Sequence, residues 1–139
     1  MTPDALAALH ARTFVAPPPW SAASFAALLA RPHVFLEADA QGRAFALGQV
    51  IAGEAELLTL ATDPAHRRQG LARALLARFA ASARQRGADS AFLEVAENNA
   101  AARALYAASG WTARGRRPGY YRTPGQPAVA ALILCKSLA

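Results

Sequence analysis

The sequence predicts a mixed α/β fold, in which one twisted, mostly antiparallel sheet carries helices on both faces. Three observations support this. Short apolar segments bounded by turn residues recur at 34–38, 43–52, 54–62, 90–95, 111–116 and 129–136, as strands require. Four segments with apolar residues at helical spacing are distributed among them. The longest of these runs from Leu71 to about Arg86 between two apolar strands. It reads as a crossover, so its flanking strands are expected to be parallel and adjacent.

In chain order, Asp4 is placed to cap a first helix through about Arg12, with Leu6 and Leu9 on its inner side. Val15 to Trp20 is a proline-rich loop, because three consecutive prolines exclude helix. Ser21 reads as the N-cap of a second helix that ends before Pro32, with Phe25, Leu28 and Leu29 at helical spacing. Two strands follow, joined by a turn around Asp39 to Gly42, and Gly53 turns the chain into a central strand ending near Thr62. In the long helix Leu71, Leu75, Phe79 and Ala83 share one face, and Gly87 closes it. Ser90 to Val95 alternates, with Ala91, Leu93 and Val95 on one side and Phe92 and Glu94 on the other. Asn98 or Asn99 starts a short helix ending at Ser109-Gly110. Trp111 to Arg116 is a strand, 117–127 a loop, and Val129 to Lys136 a final apolar strand.

The 139 residues, 54% of them hydrophobic, are expected to form one domain, 1–139, with a substantial core. No run of about 18 apolar residues occurs, so no membrane span or membrane partner is expected. The N-terminus lacks the basic-then-apolar pattern of a signal peptide. A single cysteine, Cys135, excludes an internal disulfide and fits a reducing cytoplasm. The net charge of +6 is uneven: residues 1–97 hold nine basic and nine acidic side chains, whereas 98–139 hold Arg103, Arg114, Arg116, Arg117, Arg122 and Lys136 with no acid. That excess suits a phosphorylated cofactor or an RNA-rich assembly. It equally suits a solvated arginine-rich face.

The stretch from Leu57 to Leu76 is an apolar strand, an Asp-Pro turn, a basic loop ending in Gly70, and the start of a helix. Gly70 and Ala72 leave the backbone open to close approach. First-turn amides lack a partner four residues back. With a positive helix end and arginines they form a site for a diphosphate. A glycine that only eases a strand-to-helix turn is the alternative. Glu94 interrupts an apolar strand, so it either faces solvent or reaches a cleft where it takes a proton from an amine. Tyr106, in Ala104-Leu105-Tyr106-Ala107, is either a core aromatic or the donor of a proton to a leaving thiolate.

Arg67-Arg68-Gln69-Gly70-Leu71-Ala72 resembles the pyrophosphate loop, Arg/Gln-x-x-Gly-x-Gly/Ala, of the GNAT N-acetyltransferases. Leu93-Glu94-Val95, then Asn99, Ala-x-x-Leu-Tyr at 102–106 and Gly110-Trp111 are similar to that family's second signature. With Pro19-Trp20-Ser21 and Tyr120-Tyr121, the resemblance points to its RimI-type branch, which acetylates the N-terminal alanine of a small-subunit ribosomal protein. It spans about residues 14–139.

The resemblance implies a GNAT-type sheet with an acetyl-CoA cleft at splayed central strands. Glu94 matches the general base and Tyr106 the general acid. Leu60, Ala61 and Thr62 match the strand backbone that pairs with pantetheine; Arg67, Arg68, Gln69, Gly70, Leu71, Ala72 and Arg73 match the pyrophosphate loop; Asn99 matches a cofactor contact. Trp20, Tyr120 and Tyr121 are candidates to line a peptide groove. Acetyl-CoA is the implied co-substrate, without a metal, and a protein or peptide N-terminus the implied acceptor, without direct nucleic-acid binding. An acidic start to the last strand is replaced here by Val129-Ala130-Ala131. That keeps a free small amine or amino acid open as the acceptor. A non-catalytic CoA-binding module is the third reading, against which both Glu94 and Tyr106 argue.

Overall fold

The computed structural model describes residues 1–14 and 18–139. Helix α1 (Pro3–Thr13) opens the chain and is capped by Thr2, whose hydroxyl accepts from the Ala5 N–H at 3.1 Å. This corrects the expectation of an Asp4 cap. Pro3 occupies the first helical position, where it has no N–H to leave unpaired, and Asp4 falls within the first turn, where its charge meets the positive helix end. Of the expected proline-rich loop, 15–17 lie outside the described residues and 18–20 are irregular. Ser21 caps α2 (Ala22–Leu29) through Ser24 N–H, as its position suggests.

The remaining elements are β1 (Val34–Ala38), β2 (Ala44–Ile51), β3 (Glu54–Thr62), α3 (Leu71–Gln85), β4 (Ser90–Ala96), α4 (Ala100–Ala108), β5 (Thr112–Tyr121) and β6 (Val129–Ser137). A short 3₁₀ turn, Pro64–His66, precedes α3. The strands form one sheet in the order β1-β2-β3-β4-β6-β5. Among the described residues only β3 and β4, joined by the α3 crossover, run parallel.

β5 continues to Tyr121, past the end at Arg116 that the sequence suggests. Pro118 and Gly119 read as breakers, but they fall in an irregularity between the pairs Arg117↔Ala131 and Tyr121↔Val129. β5 is also an edge strand, where a missing N–H breaks no ladder.

Two apolar layers hold the sheet. Leu6, Leu9 and Phe25 from α1 and α2 pack with Phe45, Leu47 and Ala61 on one face. Leu75, Phe79 and Ala83 of α3 pack with Ala91, Leu93, Tyr106 and Trp111 on the other. Helix α3 lies close on β2 because Gly48 has no side chain: a Cβ there would stand 2.5 Å from the Phe79 ring.

Candidate active site

The parallel pairing of β3 with β4 is short. It covers Glu54↔Ser90 to Glu56↔Phe92 and then stops. Immediately beyond, Leu58 is an extra residue in β3, between Gly48↔Leu57 and Leu47↔Thr59. Such a bulge bends its strand and increases local twist. From there β3 stays with β2 to Thr62 while β4 stays with β6 to Ala96. The two central strands therefore diverge, and the edge of β3 along Leu60, Ala61 and Thr62 faces a V-shaped opening. An extended chain lying in that V can take backbone hydrogen bonds of the kind a strand partner would supply.

At the mouth of the V the chain turns into α3. Asp63 braces the turn, accepting from Ala65 N–H at 3.0 Å and from Arg12 at 3.1 Å. Arg68 has φ +63° and Gly70 φ +76°. The left-handed region is costly for a residue with a Cβ, so Arg68 is held in strain by its surroundings. The first bond of α3 runs from Ala74 N–H to the Gly70 carbonyl at 3.1 Å. This leaves the Leu71, Ala72 and Arg73 amides without a helical partner, at a helix end with no side-chain cap. A Cβ on Gly70 would meet nothing within 4 Å. The glycine is thus set by its φ and by open space above it rather than by packing. Arg67, Arg68, Gln69 and Arg73 are exposed around that space. Free amides, arginines and an uncovered backbone fit a diphosphate.

Glu94 projects from β4 on the face opposite the buried Ala91, Leu93 and Val95, near the apex of the V. Its side chain is 21% exposed, and Arg117 Nη1 lies 3.4 Å from its Oε1. A second carboxylate, absent from the sequence reading, stands beside it. Glu56 occupies the last paired position of β3, opposite Phe92, and accepts from Gln49 Nε2 at 2.9 Å. Burial raises the Glu56 pKa, and the negative charge of Glu94 adds to the rise against the lowering effect of the Gln49 bond. Its alternation with Ala55 and Leu57 was visible, but the register that sets it against Phe92 was not.

Tyr106 is buried in the α3–α4 layer, edge-to-face with Trp111 at 6.1 Å between centroids. Burial, and secondarily the Tyr121 phenol, push its pKa well above the usual tyrosine range. Tyr121 is itself raised by burial, then by Glu94, so it stands electrostatically between the two. Asn99 is first a structural residue: its Oδ1 accepts from Ala102 N–H at 3.1 Å and caps α4. Its exposed side-chain NH₂ stays available.

The aromatic candidates separate. Trp20 stacks on His10 at 5.2 Å and meets Phe25 at 5.5 Å within the α1–α2 layer. Tyr120 and Tyr121 pack edge-to-face at 5.1 Å on β5, and Tyr120 is largely exposed. A hollow of about 380 Å³, lined by Ala104, Ala107 and Leu134 among others, lies beside α4 rather than in the V.

Residues 5–111 match the Acetyltransferase (GNAT) family. The chain is 38% identical over 124 residues to the [ribosomal protein bS18]-alanine N-acetyltransferase of Escherichia coli strain K12, covering 88% of this chain and 84% of that protein. It is 35% identical over 129 residues to the N-alpha-acetyltransferase RimI of Mycobacterium tuberculosis, covering 88% and 80%. The crystal structure of the ribosomal-protein-S18-alanine N-acetyltransferase from Escherichia coli superposes with a TM-score of 0.86 at 32% identity, over 99% of this chain and 88% of that one.

Proposed function

The chain belongs to the GNAT acetyltransferase family and is an acetyl-CoA-dependent N-acetyltransferase, and we propose that its acceptor is the α-amine of an alanine-led N-terminus, that of a small-subunit ribosomal protein. The divergence of β3 and β4, with Glu94 near its apex and the open amides of α3 at its mouth, is the observation that carries the chemistry. The name of the Escherichia coli relative supports the alanine of a ribosomal protein, and that of the Mycobacterium tuberculosis relative supports the α-amine. The 139 residues act as one domain.

Acetyl-CoA supplies an acyl group activated as a thioester. Leu71 to Arg73 would hold its diphosphate through their amides, with Arg67 and Arg68 adding charge and Gln69 a side-chain hydrogen bond; the β3 edge at Leu60 to Thr62 would pair with the pantetheine, and Asn99 would contact the cofactor. Glu94 accepts a proton from the incoming ammonium, directly or through water, so that the amine attacks the carbonyl with its lone pair. As the C–S bond breaks, Tyr106 donates its hydroxyl hydrogen to the sulfur, and the second proton, which the acylated nitrogen loses as the amide forms, returns to the Tyr106 oxygen through solvent. Its raised pKa keeps the phenol protonated throughout the working pH range. Tyr120 and Tyr121 would flank the acceptor, and Trp20, packed against His10 and Phe25, would hold the α1–α2 layer beneath it.

Mass spectrometry of the products from a panel of N-terminal peptides and small amines tests the acceptor. Alanine-led peptides are expected to lead. Preference for a free small amine over every alanine-led peptide would overturn the ribosomal-protein reading while leaving the family intact.

A further inference from the structure

His10 is a buried ionisable side chain that the chemistry above does not use. It is 2% exposed on α1 and stacks on Phe14 with ring centroids 4.2 Å apart. Both of its ring nitrogens are committed. Nδ1 accepts from the Trp20 N–H at 3.0 Å, so the ring proton sits on Nε2 and is donated to the Thr59 hydroxyl, also at 3.0 Å. The two partners belong to different parts of the site. Thr59 follows the Leu58 bulge in β3 and precedes the edge at Leu60 to Thr62. Leu57 and Leu60 pack in the α3 layer, whereas Leu58 packs in the α1–α2 layer, so the bulge sets Leu58 and Thr59 side by side on the α1 face. Trp20 lies at the end of the segment that joins α1 to α2. That segment leaves α1 beside the far end of the same edge, where the Thr13 hydroxyl donates to the Thr62 carbonyl at 3.4 Å.

The extra residue of a bulge disrupts the ladder that would otherwise fix its strand. Here the bond from Nε2 holds the bulge from the α1 side, and with it the direction of the edge that receives the cofactor. The same rigid ring fixes the main chain of Trp20 through Nδ1. A neutral imidazole can do both, because one nitrogen donates and the other, across the ring, accepts. We propose that His10 is a positioning residue that ties the acetyl-CoA edge of β3 to the acceptor side of the cleft. The acceptor end of that tie rests on the proposed function, in which Trp20 holds the layer beneath the acceptor. With both nitrogens engaged by Thr59 and Trp20, His10 acts on the two binding steps and takes no part in proton transfer.

Substitution separates the two ends. The asparagine oxygen can take the place of Nδ1, and the longer glutamine can bring its nitrogen to the place of Nε2. His10→Asn therefore keeps the Trp20 bond and loses the Thr59 bond, whereas His10→Gln does the reverse. Acetyl-CoA Kd is measured by calorimetry without acceptor, and KM for an alanine-led peptide at saturating acetyl-CoA, with folding checked by urea unfolding. His10→Asn and Thr59→Val should each weaken acetyl-CoA binding about three- to tenfold, the effect of one hydrogen bond, with acceptor KM unchanged. Their combination should do no worse than either alone, since both remove the same bond. His10→Gln should raise acceptor KM by a similar factor with acetyl-CoA Kd unchanged. A histidine that only fills the core would lower stability and leave Kd and KM at wild-type values, or shift both together in every variant; either result overturns the assignment. Should the His10 variants not fold, Thr59→Val decides alone: weakened acetyl-CoA binding supports the tie and unchanged binding overturns it. A wild type that acetylates no alanine-led peptide overturns the proposed acceptor instead. KM is then read for the amine it does use, where a rise confined to His10→Gln supports the tie and its absence overturns it.

Discussion

Glu94 and Tyr106 act on opposite ends of the reaction, and pH separates them. An alanine-led amine has a pKa of about 8, so more of it arrives neutral as pH rises toward 9. Glu94→Gln is expected to lose about 10²- to 10⁴-fold in turnover at neutral pH and to recover much of that in alkaline buffer. Tyr106→Phe should stay impaired throughout, because higher pH does not help to protonate a thiolate. Turnover against pH for both variants at saturating acceptor checks this, and near-wild-type turnover by Tyr106→Phe would reduce that tyrosine to a core aromatic. His10 gives a second pH-dependent prediction, this time of stability. Trp20 N–H donates to its Nδ1 at 3.0 Å, so the ring proton sits on Nε2 and points to the Thr59 hydroxyl at 3.0 Å. Burial lowers the His10 pKa to about 4, because a charged ring would lose solvation. The unfolded chain therefore binds the proton first. The stabilisation is complete above about pH 6.5 and is lost as pH falls toward about 4, on the order of 1–3 kcal/mol in all. Urea unfolding between pH 7 and 4 should show that decline, and His10→Gln should flatten it.

Two glycines have different reasons for being glycine, and substitution distinguishes the elements they serve. Gly48→Ala would drive a Cβ into the buried Phe79 ring where α3 lies on β2. A loss of about 1–3 kcal/mol in denaturant unfolding is expected, as overpacking gives. Gly70→Val meets no neighbour but must adopt φ +76° and would cover the free amides of α3. Its fold should persist with a smaller penalty, while calorimetry should show CoA affinity sharply reduced. Unchanged affinity in a folded Gly70→Val would remove the loop from the binding site. At this scale most boundaries were legible. Ser21, Asn99 and the alternation of Ala91, Leu93 and Val95 announce α2, α4 and β4 through local capping and pleat rules, and all three are observed. β5 runs on past Arg116 because Pro118-Gly119 breaks a central strand but not an edge strand.

For the whole molecule, ligand and fold are linked. Acetyl-CoA that binds only the folded chain should stabilise it by about 2.7 kcal/mol at a concentration 100 times its Kd. Melting temperature should then rise by roughly 6–12 °C for a chain of this size, and Gly70→Val should abolish most of that rise. The amino-acid sequence by itself determined the mixed α/β class, the crossover that makes β3 and β4 parallel, and the residue types at the pyrophosphate loop, Glu94 and Tyr106. These depend on short-range physics: periodicity, caps, and the steric freedom of glycine. Tertiary structure alone decided the rest. The Leu58 bulge, which parts β3 from β4 after Glu56↔Phe92, exists only as a mismatch of register between two strands. Glu56 and Arg117 come to flank Glu94 from strands 38 residues before it and 23 after it in sequence. Trp20 was drawn to His10 by the packing of α1 on α2. No local pattern records which strand lies beside which or where their pairing stops, because that is set by the joint burial of both sheet faces.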